Sequence, residues 1–258
     1  MSSNSSSPSN PSGSSSSSAK AHSNWSRAIT LPAWVLLSFV VASLLTIGVL
    51  WVGNALGIVI PITSAAVSNT ILTAVVYALT LLIVIGAPWL VRKIRTTKAE
   101  LGLTRWPSWM DILLAPAGFL VYIVLSWLFG NVADAIIPWY DATEVQDTGF
   151  SGLTQNYQYL LAFVSLVVLA PVAEELLFRG YLLGKLKKHV PAWIAVVVAS
   201  IAFGVAHASW TVGVDVFALG LVLCTLRLVS GSIWSSVLLH GLKNGIAFYL
   251  VFINPFFG

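Results

Sequence analysis

Long apolar runs separated by short polar stretches dominate the chain. A helix that crosses the hydrocarbon core of a bilayer needs about 20 predominantly apolar residues. Seven runs approach or reach that length, and they lie near residues 30–52, 68–91, 110–130, 157–184, 191–207, 212–229 and 232–252. The last three are short or closely spaced, so an extra break or a re-entrant segment would make eight. The pattern predicts an all-α fold, a polytopic transmembrane helical bundle of seven to eight spans.

The residues before the first run have a different composition. Ser, Asn, Pro and Gly dominate residues 1–24, and a segment of this kind cannot bury enough apolar surface to fold. We therefore predict a disordered, Ser-rich cytoplasmic tail over residues 1–29 and a transmembrane domain over residues 30–258. The run that follows the tail is long enough to span, so it is expected to be an uncleaved anchor.

The overall composition supports a membrane protein. The chain is 57% hydrophobic and only 9% charged, whereas a soluble domain is about 25% charged. Its 13 Lys and Arg outnumber its 9 Asp and Glu. In a polytopic membrane protein this excess is typical of basic cytoplasmic loops. We therefore expect the lipid bilayer, and no nucleic acid, as a partner.

The charged residues between the runs predict the orientation. Residues 92–108 and 185–188 are rich in Lys and Arg, whereas residues 131–156 carry four acidic residues and no basic one. An excess of Lys and Arg marks cytoplasmic loops. The alternation places the N terminus in the cytoplasm and the acidic loop outside. In a bacterium the membrane would be the plasma membrane.

Three ionisable residues interrupt the fourth run, in the sequence PVAEELLFRGY at 171–181. A charge at the bilayer centre costs about 2.5–3.5 kcal/mol on insertion scales, so such residues are usually functional. Glu175 and Arg179 are spaced i, i+4 and can pair on one helix face. Glu174 is rotated by about 100° and must face a different neighbour. It is therefore a candidate general base.

Further polar residues lie in the runs that follow. Glu174 and His207 lie at similar distances before and after a turn near residue 189. If the two helices are antiparallel, these residues lie at similar depth, so they are expected to face each other. His240 and Asn244 share one face of the last run. Phe203 is predicted to pack. Lys243 is expected to snorkel or to pair elsewhere, and Asp215 and Arg227 are predicted to be interfacial.

Three short motifs resemble those of one protein family. The sequences EELLFR at 174–179, FGVAH at 203–207 and HGLKN at 240–244 are similar to the EExxxR, FxxxH and HxxxN motifs of the CPBP family, the CAAX protease and bacteriocin-processing (Abi) intramembrane endopeptidases. The motifs occur in the family order on successive apolar segments. The family-like catalytic region extends over about 157–252.

The resemblance implies a helical core with a cavity open to the cytosolic side, and hydrolysis of a peptide bond near the C-terminal end of a substrate. Type members remove the last three residues of prenylated proteins, so a protein or a lipidated peptide is the implied substrate. The implied roles are water activation by Glu174 and His207, oxyanion stabilisation by His240 and Asn244, and support of the site by Glu175 and Arg179.

The metal requirement is left open by the sequence. Glu174, His207 and His240 could form a three-ligand zinc site with an open position. The HExxH motif is absent, and Asn244 fits an oxyanion donor better than a group supporting a metal ligand. We favour a glutamate mechanism without a cofactor, with zinc as the alternative.

Two other functions are compatible with buried Glu and His. A proton-coupled transporter uses such residues as a relay, but transporters often show internal repeats, and none is apparent here. A non-catalytic immunity or scaffold protein would retain the helices for assembly alone. The intramembrane protease is the leading hypothesis.

Overall fold

The computed structural model describes residues 14–58, 64–141, 144 and 147–254. These residues form eight helices and no strand: α1 Ser14–Ala55, α2 Ala65–Arg92, α3 Lys98–Leu101, α4 Trp109–Ile136, α5 Asn156–Leu186, α6 Ala192–Val205, α7 Trp210–Ser230 and α8 Trp234–Ile253. Six of the helices are long and apolar enough to cross a membrane, and α6 is a shorter apolar helix. The prediction of an all-α polytopic bundle is confirmed.

The N-terminal helix is longer than the sequence pattern predicts. α1 begins at Ser14, so residues 14–29 are helical where a disordered tail was predicted. Nucleation is the costly step in helix formation, and each further residue adds a hydrogen bond to an existing helix. The long apolar helix thus provides a nucleus that the polar residues before it can extend. Residues 1–13 lie outside the described part of the chain.

The outer surface of the bundle suits a lipid environment. Large apolar side chains are exposed along the spanning helices, including Leu44, Val121 and Leu160. Exposed tryptophans lie at both ends of the helices, for example Trp109 at the start of α4 and Trp139 after its end. Tryptophan is enriched at both membrane–water interfaces. The protein is therefore an integral membrane protein.

Close helix packing forms the core around α7, which contacts α4, α6 and α8. One close crossing is at Gly204 of α6 and Gly213 of α7. A Cβ atom at Gly204 would lie only 2.8 Å from the Gly213 carbonyl oxygen. The absence of a side chain at this position lets the two helices approach and brings the end of α6 against the start of α7.

One end of the bundle, which we call the basic end, is covered by the short helix α3. Glu100 of α3 accepts hydrogen bonds from Lys185 at 2.9 Å and Lys188 at 2.5 Å. Burial alone would raise the pKa of Glu100, but these two lysines and the Thr97 backbone N–H lower it to about 2. At Gly184 of α5 a Cβ atom would collide with the Glu100 carbonyl. α3 therefore packs directly on the end of α5.

Arg227 lies beneath this cover. Its side chain is buried and donates to the carbonyls of Ala99 and Glu100 at 3.2 and 3.3 Å. Its predicted position at the membrane interface stays a prediction. The loop after α3 also pairs with the start of α8, where the Ile233 N–H donates to the Gly102 carbonyl. The chain between α2 and α4 folds back over the helix ends, which the hydrophobic pattern could not show.

Candidate active site

A cavity of about 1090 Å³ lies at the opposite end of the bundle. We call this the acidic end, because Asp134 near the end of α4 and Glu144 and Asp147 of the α4–α5 connection line the cavity there. Four of the six predicted site residues also line it: Glu174, His207, His240 and Asn244. Glu175 and Arg179 are fully buried behind this wall. The structure thus brings polar residues from α5, α6 and α8 into one region.

Glu175 and Arg179 form the ion pair that their spacing predicts. Arg179 Nη1 donates to Glu175 Oε1 at 2.9 Å, and both side chains are fully buried. The guanidinium also lies 4.2 Å from the centre of the Phe203 ring. A buried charge is tolerated only when it is paired, and the aromatic face adds a cation–π contact. Phe203 is fully buried, as predicted for a packing residue.

His240 connects the buried pair to the cavity wall. Its Nδ1 atom lies 2.9 Å from Glu175 Oε1, and its Nε2 atom lies 3.7 Å from Glu174 Oε2. An ionised carboxylate can only accept hydrogen bonds, so Nδ1 carries a proton and donates it to Glu175. The Nε2 atom is then directed toward Glu174. The arrangement fixes both the tautomer and the orientation of the ring.

Glu174 has a second partner that sequence reasoning missed. The hydroxyl of Tyr77 on α2 donates to Glu174 Oε1. The side chain of Glu174 is 12% exposed, at the cavity wall. Tyr77 belongs to an apolar run and to none of the three motifs, so nothing in the sequence distinguishes it from a packing tyrosine. Its edge-to-face contact with Phe39 fits the packing role as well.

His207 lies just beyond the C-terminal end of α6. Its Nδ1 atom lies 2.8 Å from the Phe203 carbonyl. The carbonyl accepts, so Nδ1 carries the proton, and in the neutral ring Nε2 has the free lone pair. The next residue, Ala208, has a left-handed φ of 53°, which costs a residue with a side chain about 1–2 kcal/mol. This tight turn joins α6 to α7 and holds His207 at the cavity.

Glu174 and His207 line the same cavity, as their similar depth predicts. Each has its own partners, Tyr77 for Glu174 and the Phe203 carbonyl for His207. Within the described residues, no hydrogen bond joins the two side chains. Both therefore face space that a water molecule and a substrate could occupy.

Asn244 is held by a break in α5. The helix has a π-helical turn at Val164–Leu169, in which the Ala170 N–H donates to the Ser165 carbonyl. The next donor in that register would be residue 171, but Pro171 has no N–H. The Leu166 carbonyl therefore lacks its helical partner. Asn244 Nδ2 donates to it instead, at 2.9 Å.

Asp215 and Lys243 form a second polar group in the cavity. Tyr122 of α4 donates to Asp215 at 2.8 Å, Ser126 also donates, and Lys243 Nζ lies 3.6 Å from Asp215 Oδ2. Asp215 lines the cavity because α7 turns this residue toward the hydroxyl groups of α4. Its predicted position at the membrane interface stays a prediction. The expectation that Lys243 pairs elsewhere is met by this contact.

Among the residues that the structure describes, the acidic and histidine side chains form no recognisable metal site. In the part of the chain that is described, no three His, Cys, Asp or Glu residues are grouped to hold an ion. Glu174 and His240 approach each other, but His240 Nδ1 is engaged by Glu175. The choice between glutamate and zinc chemistry stays a prediction.

Comparison with known proteins identifies the region that carries these residues. Residues 156–246 match the family described as type II CAAX prenyl endopeptidase Rce1-like. An Escherichia coli protein named "Uncharacterized 24.3 kDa protein" is 30% identical over 86 residues, which is 31% of this chain. The match spans 40% of the length of that relative. No solved structure matches the chain.

The matched region contains α5, α6, α7 and most of α8. It holds all six residues that the three motifs predicted, and the structure gathers those residues around one cavity wall. Its membrane-spanning helices agree with the resemblance to the CPBP endopeptidases. Residues 156–246 are therefore similar to the type II CAAX prenyl endopeptidase Rce1-like family.

Proposed function

We propose that the protein is an intramembrane endopeptidase that uses Glu174 as its general base. The observation that carries the proposal is the position of this carboxylate. It lies at the wall of a large cavity inside a membrane bundle, with Tyr77 on one oxygen and His240 near the other. A general base must be fixed within reach of the water that it activates. Glu174 meets this requirement.

The proposed reaction begins with a water molecule between Glu174 and His207. Glu174 removes one proton from the water, and the free Nε2 of His207 accepts a hydrogen bond that orients it. The resulting hydroxide attacks the carbonyl carbon of the substrate peptide bond. Glu174 then returns the proton to the leaving nitrogen, and the C–N bond breaks. Proton transfers of this kind typically contribute about 10²–10⁴-fold to the rate.

His240 and Asn244 are the proposed donors to the oxyanion. The Nδ1–H of His240 is directed to Glu175, so a protonated ring would present its Nε2–H on the cavity side. The Asn244 amide has two N–H groups, and its bond to Leu166 uses one of them. The second remains for the substrate oxygen. Donors fixed before reaction stabilise the developing charge most effectively.

Glu175 and Arg179 are proposed to position His240 rather than to contact substrate. Their pair is fully buried, and Glu175 Oε1 accepts from both Arg179 and His240. A substitution at either residue would leave a buried charge without its partner. We therefore expect such variants to lose folding stability as well as activity.

The proposed substrate is a protein or a lipidated peptide. The distribution of Lys and Arg supports a cytoplasmic N terminus and, in a bacterium, a plasma-membrane location. No metal takes part in the proposed mechanism. A zinc-dependent reaction at Glu174, His207 and His240 is the alternative that the following experiment distinguishes.

The test uses the purified chain in detergent and fluorogenic peptides with and without a prenyl group. Glu174→Gln keeps the shape of the side chain and removes the base, so we expect kcat/KM to fall by about 10²–10⁴-fold. His207→Ala should also lower it, whereas His189→Ala, in the turn before α6, serves as the matched control. Glu174→Gln with wild-type activity would refute the proposal. Loss of activity with a chelator and recovery with zinc would instead establish the metal-dependent alternative.

A further inference from the structure

The cavity extends from the acidic end to about the middle of the bundle. Its lining comes from the second half of α4, the start of α7, and the parts of α5 and α8 that lead from the acidic end to Glu174 and His240. These helices alternate in direction, so the lining segments meet at the acidic end. His207 reaches the cavity from the end of α6 that is farthest from the Lys-rich turn at 185–188. The candidate base is therefore reached from the acidic end.

The opposite end is closed by side-chain and backbone contacts. Lys185 donates to the Arg95 carbonyl and to Glu100, which ties the end of α5 to the segment after α2. Arg105 pairs with Asp111 at the start of α4 and also donates to the Ser230 carbonyl at the end of α7. These contacts hold the segment between α2 and α4 against the ends of α5, α4 and α7. The cavity on this side, lined by Lys98, Arg105, Trp106 and Trp234 among others, measures about 510 Å³, roughly half the volume at the acidic end. None of the six candidate site residues lines it.

The closed end also carries the positive charge of the chain. The segment between α2 and α4 and the turn between α5 and α6 are rich in Lys and Arg. Burial and the charges of Arg27, Lys188 and Lys185 lower the pKa of His189, so the first part of α1 belongs to this end as well. Lys and Arg near the ends of spanning helices mark the cytoplasmic side. The basic end is therefore expected in the cytoplasm.

From the position of the cavity and the charge of the two ends, we propose that the active site opens on the extracytoplasmic face. The inference rests on the proposed function and specifies its substrate: an extracytoplasmic peptide, or the extracytoplasmic flank of a membrane protein. This differs from the cytosolic opening that the family resemblance implies. A prenylated C terminus in the cytosol would meet the closed end.

The charge of the cavity specifies the substrate further. Five carboxylates line it, Asp134, Glu144, Asp147, Glu174 and Asp215, against one lysine, Lys243, which is paired with Asp215. A cleft lined by one sign of charge raises the local concentration of oppositely charged ligands. The preferred substrate therefore carries Lys or Arg beside the bond that is cleaved.

The orientation can be tested without any catalytic measurement. Ser151→Cys lies in the α4–α5 connection and Lys187→Cys in the α5–α6 turn, and both positions are exposed. The natural Cys224 is buried, so the unmodified chain is the control for background labelling. In intact bacterial cells, a membrane-impermeant maleimide should label Ser151→Cys, and it should label Lys187→Cys only after permeabilisation. The reverse pattern, or labelling of both variants in intact cells, would overturn the proposal.

Entry from this face is tested with a membrane-impermeant peptide added to intact spheroplasts. We expect cells with the natural chain to cleave it without lysis, cells with Glu174→Gln not to cleave it, and a Lys-flanked peptide to be cleaved faster than a Glu-flanked one. Cleavage only after lysis, or preference for the Glu-flanked peptide, would overturn the proposal. Absence of cleavage even in detergent would reject the protease function itself, whereas the labelling experiment decides the orientation independently of catalysis.

Discussion

At the scale of single residues, the two oxygens of Glu174 have different surroundings. Oε1 accepts from Tyr77, whereas Oε2 lies 3.7 Å from His240 Nε2. A base needs one oxygen held in place and the other available to the water. Tyr77 therefore contributes to positioning of the base, although it comes from a helix outside the region that matches the family.

Tyr77→Phe removes only the hydroxyl that holds Glu174. A hydrogen bond to a charged group is worth about 1.5–3 kcal/mol, so we expect kcat/KM for peptide cleavage to fall by about 10- to 100-fold. Tyr159→Phe is the matched control, because its hydroxyl donates to the Leu153 carbonyl and does not line the cavity. Equal activity of the two variants would show that Tyr77 has a packing role alone.

At the scale of helices, the interruption of α5 is what joins it to α8. Pro171 cannot donate to Leu166, and the open carbonyl accepts from Asn244. Gly241 allows the two helices to approach here, because a Cβ atom at that position would lie 3.2 Å from the Val167 carbonyl. The same asparagine that the motif assigns to the oxyanion thus also has a structural bond.

The two roles of Asn244 can be separated by restoring a backbone donor. Asn244→Ala leaves the Leu166 carbonyl without a partner, which should lower the free energy of unfolding by about 1–3 kcal/mol. In the double variant with Pro171→Ala, residue 171 gains an N–H that can reach Leu166 in the π-helical register. We expect thermal unfolding in detergent to show recovered stability, and peptide cleavage to remain impaired.

Recovery of both properties would contradict a role for Asn244 in the reaction. Pro171→Ala alone is the control for any effect of replacing the buried proline. If the double variant were no more stable than Asn244→Ala, the open Leu166 carbonyl would not be the cause of the instability.

The sequence predicted the features that follow the periodicity of a single helix. It did not predict the side-chain contacts between helices. The apolar runs gave the spanning helices, and the i, i+4 spacing of Glu175 and Arg179 gave their ion pair. Contacts of Tyr77 with Glu174, and of Asp215 with Tyr122, join residues more than 90 positions apart. No periodicity records such contacts, because they depend on how the helices rotate when they pack.

At the scale of the whole molecule, the two ends of the bundle have opposite construction. The basic end is tied by α3, where a single carboxylate accepts from two lysines, whereas the acidic end surrounds a cavity. Ion pairs and close packing hold the basic end closed. The open end keeps its carboxylates available to solvent, as expected for the side that receives a ligand.

Glu100 makes the stability of the closed end depend on pH. Its pKa falls from an ordinary value of 4.5 to about 2 in the folded protein, because Lys188 and Lys185 stabilise the ionised form. A group whose pKa is lowered by folding stabilises the protein above its unfolded pKa, and this stabilisation is lost as the pH falls through its folded pKa.

Glu100→Gln should therefore lower the unfolding temperature in detergent at pH 7. The corresponding loss in the free energy of unfolding is about 1–3 kcal/mol. The difference should narrow as the pH is lowered from about 4.5 toward 2. Asp134→Asn, which removes an exposed carboxylate at the acidic end, is the control for the loss of one negative charge. A difference in stability for Glu100→Gln that stays constant with pH would mean that the charge of Glu100 does not stabilise the closed end.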